Sequence, residues 1–153
     1  MPTGERGFTL TAVLVLLALS MLGLSMAGPM WSQQVQRERE RDLVRIGGLY
    51  AQAIARYRAA SPGSAKLYPQ QLEELTRDGR YVGTMRHLRR LYPDPMLPGQ
   101  PWAVIRNLDG RIIGVRSNSL VQPLGQGIID ERGLPLPAAL RYADWQFLAK
   151  DGT

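Results

Sequence analysis

Apolar side chains fill residues 8–27 almost without interruption (FTLTAVLVLLALSMLGLSMA), and no charged residue occurs anywhere in residues 8–36. Twenty uncharged residues predict a helix of roughly 30 Å, the thickness of a bilayer's hydrocarbon core. Thr9, Thr11, Ser20 and Ser25 fit such a helix because their hydroxyls bond back to its carbonyls. Beyond Gly28-Pro29 the pattern changes. Trp31, Val35, Leu43, Ile46, Leu49 or Tyr50, Ala53, Ile54 and Tyr57 recur at steps of three and four, which predicts an amphipathic stem to about residue 60. Pro29 removes a helix hydrogen bond, so a kink is expected there, or else the first helix ends at Gly28-Pro29. Between the apolar positions lies RERERD, residues 37–42, whose opposite charges meet at three-residue spacing: Arg37 with Glu40, Glu38 with Arg41, Arg39 with Asp42. It reads as a solvated helix face or as an inter-subunit contact. Gly47-Gly48 weakens the helix by roughly 1 kcal/mol per glycine and marks close packing or a flexible joint.

Ser61-Pro62-Gly63-Ser64 stops the stem. A short helix is predicted from Tyr68-Pro69 to Asp78, with Leu72 and Leu75 facing inward, and another over residues 85–91, capped by Thr84. After Tyr92-Pro93-Asp94-Pro95 come strands. Residues 101–106 (PWAVIR) and 111–116 (RIIGVR) flank Asn107-Leu108-Asp109-Gly110, whose Asp-Gly predicts a hairpin turn. Residues 142–148 alternate and predict a third strand, across a Gly- and Pro-rich loop at 117–141. The expected architecture is α+β: a long N-terminal helix, membrane half plus stem half, packed on a small antiparallel sheet. Its divisions are a leader at 1–7, a transmembrane half at 8–28, a stem at 29–60 and a head at 61–153.

At 153 residues the chain has the size of one domain, and 44% hydrophobic with 21% charged residues is an ordinary globular mixture. It has no cysteine and one histidine, His87, which removes disulfide scaffolds, thiol nucleophiles and Cys-rich zinc sites. Multi-histidine metal sites and hydrolytic triads, which consume histidines, go with them. Glu73-Glu74 point in different directions on a helix, and Gly125-Gln126-Gly127 is too short for a phosphate loop. No catalytic, cofactor or metal residue is expected, and the protein reads as a non-enzyme. Net charge is +6, carried by 17 arginines and 2 lysines. Arg86, Arg89 and Arg90 cluster as a candidate contact for DNA or another anionic partner, although an exposed helix face is the plainer reading.

The polar–apolar border carries a more specific signal. Gly7-Phe8-Thr9-Leu10, preceded by Arg6, resembles the processing site of type IV prepilins and type II secretion pseudopilins. A secretory signal peptide cut after Ser25-Met26-Ala27 is the alternative, against which stand the short leader and the long apolar run. The resemblance implies cleavage between Gly7 and Phe8 by a prepilin peptidase, with N-methylation of Phe8. Ala53-Ile54, Tyr57, Tyr68-Pro69, Leu72, Leu75, Asp94-Pro95, Trp102, Gly114-Val115 and Ser117 look like the core of pseudopilins, so the likeness covers residues 4–117. One position departs: Ala12 stands where the family usually carries a glutamate that pairs with a neighbour's amino terminus, which implies a minor or tip-type subunit. The pseudopilin calcium loop has no counterpart, since residues 117–129 contain no acid.

The resemblance implies a pilin-like fold and a structural role in a type II secretion pseudopilus or type IV pilus. The partners it implies are other subunits, the prepilin peptidase, an inner-membrane assembly platform and the lipid bilayer. The implied location is the bacterial inner membrane, single-pass, with the head in the periplasm. Arg37, Arg39, Arg41 and Arg45 crowd the distal side, so the positive-charge count opposes that orientation. A minor pilin that binds DNA and an unprocessed single-pass envelope protein remain the alternatives.

Overall fold

A computed structural model describes residues 4–83, 85–124 and 139–150, the side chains of residues 4–7 and 22–31 excepted. The chain divides into two compact units, Met1–Gln36 and Arg37–Thr153. Helical backbone, α1, covers Gly4–Ala59. With side chains, it comprises a fourteen-residue segment at 8–21 in the first unit and a segment at 32–59 that belongs almost wholly to the second.

This overturns the expectation of one long N-terminal helix acting as membrane anchor and stem in a pilin-like fold. Among the described residues no helix is long and apolar enough to cross a membrane. The transmembrane segment and the single-pass inner-membrane location are therefore corrected. The count of twenty ran on through residues 22–27, whose side chains lie outside the described ones. Pro29 lies within the helical span, but its side chain, and with it the expected kink, is also outside them.

The second unit is built from the helix outward. Leu43, Ile46, Tyr50, Ala53, Ile54 and Tyr57 are buried along one face, at the spacing that keeps a helical stripe turned to a core. Each large apolar side chain buried this way contributes about 1.5–3 kcal/mol. The helix ends at Ala59, where the Lys66 ammonium donates to the carbonyls of Ala59 and Ser61, both 3.2 Å away, and satisfies acceptors the helix leaves open.

Facing this stripe is a three-stranded antiparallel sheet in the order β1 (Ala103–Arg106), β2 (Ile112–Arg116), β3 (Gln146–Leu148). The β1–β2 turn forms because the Asn107 side-chain oxygen accepts from the amides of Asp109 and Arg111, at 3.1 and 2.9 Å, while Gly110 adopts φ +74°. Gly114 on β2 allows β3 to close in, since a Cβ there would sit 2.5 Å from the Phe147 carbonyl oxygen. Trp102 packs between Tyr50 of the helix, with centroids 5.6 Å apart, and Phe147 of β3, at 6.0 Å.

Three local expectations fail for identifiable reasons. The helix expected from Tyr68-Pro69 to Asp78 is a single 3₁₀ turn, Leu72–Leu75, because the Glu74 carboxylate accepts the amides of Gln70 and Gln71 and tightens its start. No helix forms over residues 85–91. The amides of His87 and Leu88 both donate to the Leu75 carbonyl, each at 2.8 Å, and Asp78 bridges Met85, so that backbone is committed elsewhere. The cap assigned to Thr84 and most of the 117–141 loop lie outside the described residues. The strand expected at 142–148 begins instead with a 3₁₀ turn, Tyr142–Asp144, closed by Asp144 accepting the Arg141 amide at 3.0 Å.

Candidate functional site

In the first unit the notable feature is an uncharged surface. Phe8 is 77% exposed, Leu16 65%, Leu10 64% and Leu19 62%. A globular helix shows water one polar face, whereas this segment is apolar all round. Phe8, Thr11, Ala12, Val15, Leu16 and Leu19 follow one another at helical steps and line a shallow groove along one side. Ala12 is one of its lining residues and presents only a methyl group there. The Ser20 hydroxyl is turned inward, donating to the Leu16 carbonyl at 2.8 Å, so it adds little polarity. The side-chain surroundings of Gly7 lie outside the described residues; Phe8, its partner in the expected cleavage, stands in the open.

In the second unit the chemistry concentrates in a buried polar knot that joins the end of the helix to residues 74–88. Asp78 is 1% exposed and accepts from the Arg80 guanidinium through both oxygens, at 2.9 and 2.7 Å, and from the His87 ring at 3.0 Å. Arg80 lies 3.6 Å over the Tyr57 ring and donates to the Tyr57 carbonyl and the Ser61 hydroxyl. Arg80 holds the Asp78 carboxyl far below the usual carboxylate range, with His87 assisting against the opposing effect of burial. Burial, and then the Glu74 carboxylate to which the Tyr57 hydroxyl donates, pushes the Tyr57 phenol upward. The knot fastens the fold.

Arg86, Arg89 and Arg90 are exposed, as expected, but on irregular backbone and not on a helix. Arg90 lies 5.1 Å from the Tyr92 ring centre. His87, between them in sequence, is buried and serves the knot.

Two further carboxylates are buried, Glu40, which sequence reasoning missed, and Asp94, which it placed among core positions only through the resemblance. From the sequence, Glu40 reads as paired with Arg37 on a solvated helix face or in an inter-subunit contact. It is 2% exposed instead, and one of its oxygens accepts from the Tyr142 hydroxyl at 2.6 Å and from the Leu124 amide at 2.7 Å. Removing one donor by Tyr142→Phe is expected to cost about 1.5 kcal/mol in denaturant unfolding, with the m-value unchanged. Asp94, fully buried, accepts from the Ser117 hydroxyl at 2.6 Å and from the Met96 amide at 2.9 Å. The sequence signal for Glu40 is its place three residues before Leu43, on the apolar side of the helix.

Among the described residues no group of three or more His, Asp or Glu side chains could hold a metal ion. No protein-family model, no curated protein and no solved structure matches this chain.

Proposed function

We propose that the chain is a non-catalytic structural subunit, a minor pilin or pseudopilin of a type IV pilus or type II secretion pseudopilus, that joins its assembly through residues 8–21. One observation carries this reading: a helical segment with no charge whose large apolar side chains all stand half exposed or more. Such a surface marks a site of association. Leaving a leucine open in this way forgoes on the order of 1 kcal/mol of burial per side chain, so the segment gains by packing against similar helices of neighbouring subunits. The Gly7-Phe8 border supports the reading from the sequence side. Cutting there by a prepilin peptidase keeps the apolar segment on the mature chain, whereas cutting after Ala27 discards it. Ala12 leaves the segment without a carboxylate, in keeping with a minor position.

The intact mass of the chain isolated from its native cell tests this. A mature protein that starts at Phe8 and is heavier by one methyl group is expected. A mature protein that starts at Gly28 would overturn the proposal.

A further inference from the structure

Independently of how the subunit assembles, we propose that the second unit carries a cationic strip that binds the phosphate backbone of nucleic acid without reading its sequence. The strip converges from three parts of the chain. Arg86, Arg89 and Arg90 are exposed on backbone pinned at several points: the His87 and Leu88 amides on the Leu75 carbonyl, the His87 ring on Asp78, and the Tyr92 amide on the Tyr50 hydroxyl at 2.9 Å. The antiparallel bridge between Asp78 and Met85 sets Arg77, also exposed, alongside Arg86. From the last turn of the helix, Arg56 donates to the His87 carbonyl at 2.8 Å, which fixes a fifth guanidinium on the same strip.

Neutralising groups are scarce here. Asp78 is buried and taken by Arg80 and His87, and Glu74 is taken by the Tyr57 hydroxyl and the amides of residues 70 and 71. Exposed Glu73 is the one other acid on residues 70–90. Among the described residues no carboxylate forms a salt bridge with Arg77, Arg86, Arg89 or Arg90.

The partner's class follows from what the strip lacks. A protein partner is held by a buried apolar or aromatic centre. Here the rings are engaged, Tyr57 buried against Arg80, Tyr92 half-buried under Arg90 and Tyr81 donating to the Ala60 carbonyl. The exposed Val82, Met85 and Leu91 form no buried centre. A polyanion needs no such centre, because release of its condensed counterions supplies the affinity. Guanidinium groups also suit phosphate oxygens geometrically, binding them two at a time. With the nearby rings held by arginines or, for Tyr81, by the Ala60 carbonyl, and no groove-entering element, contact stays on the backbone.

The test uses the full-length chain and fluorescent 20-mer oligonucleotides, single- and double-stranded, of two unrelated sequences, titrated across a range of salt. Binding is expected to be indifferent to sequence and to weaken with a log–log salt slope of about −4, from five guanidinium contacts at roughly 0.7–0.9 each. The triple variant Arg86→Gln, Arg89→Gln, Arg90→Gln is expected to flatten that slope by about 1 per residue and to weaken binding at least about tenfold at low salt. These side chains are exposed, so an unchanged circular dichroism spectrum and melting temperature accompany the loss. A second triple variant, Arg37→Gln, Arg39→Gln, Arg41→Gln, removes the same net charge elsewhere and is expected to keep most of the binding. Equal losses from both triples would overturn the strip in favour of bulk charge. Binding to poly-glutamate with none to the oligonucleotides would overturn it in favour of an acidic protein. No binding to either at low salt would also overturn it.

Discussion

Replacing Gly47 by valine is expected to strip about 3 kcal/mol from the second unit. A Cβ at Gly47 would lie 2.4 Å from the Phe147 ring, well inside contact distance, so helix or strand has to move. Overpacking of a dense core costs about 1–3 kcal/mol, and a branched side chain falls at the upper end. Alanine makes the more exacting test, because it is the better helix former by about 1 kcal/mol and would stabilise an open site. Here Gly47→Ala is expected to lose about 2 kcal/mol and lower the melting temperature by about 8 °C. Paired with Phe147→Ala, which removes the ring, the same Gly47→Ala change is expected to reverse sign and add stability. A gain from Gly47→Ala in the unaltered chain would mean that the ring does not rest there.

The second large effect is expected at Asp78. Asp78→Asn keeps the side chain's shape but leaves Arg80 uncompensated beneath Tyr57 and the His87 ring beside a neutral amide. Breaking a buried pair from one side costs about 3–5 kcal/mol, and Arg80 retains some contact with solvent, which places the loss near the lower figure. Replacing both partners, Asp78→Asn with Arg80→Met, is expected to cost less than Asp78→Asn alone, since no charge is then stranded. The pH dependence has a definite sign. Asp78 has a folded pKa below its unfolded value of about 3.9, so its contribution is complete above that value. It fades as pH falls below about 4 and through the folded pKa. Unfolding free energy measured from pH 6 to pH 2 is expected to drop less in Asp78→Asn than in the unaltered chain. Parallel profiles would remove the carboxylate from the knot.

The legible parts of the fold were those fixed by local chemistry. The Asn107–Gly110 turn draws on its own side chains, and the buried stripe from Leu43 to Tyr57 follows from helical spacing, so both could be read from the sequence. Gly47 was legible as an anomaly, with the choice between packing and flexibility decided only by Phe147, a hundred residues away in sequence. Where long-range hydrogen bonds overrule propensity, reading failed. The run from Met85 to Leu91 has a helix's composition, but Leu75 captures two of its amides. Glu40 reads as one acid in a charged run until Tyr142 closes over it. The expected membrane helix is the other correction: among the described residues no helix is long and apolar enough to cross a membrane.

Exposure of residues 8–21 is the one premise on which the assembly reading stands, and molar mass in solution measures its consequence. Sedimentation equilibrium of the mature chain, compared with a Leu14→Asp, Leu16→Asp variant that puts charge on the segment and leaves the second unit untouched, separates the alternatives. Multimers for the unaltered chain and a monomer for the variant are expected. A monomer in both cases, at concentrations of tens of micromolar, would contradict a subunit that assembles through its N-terminal segment.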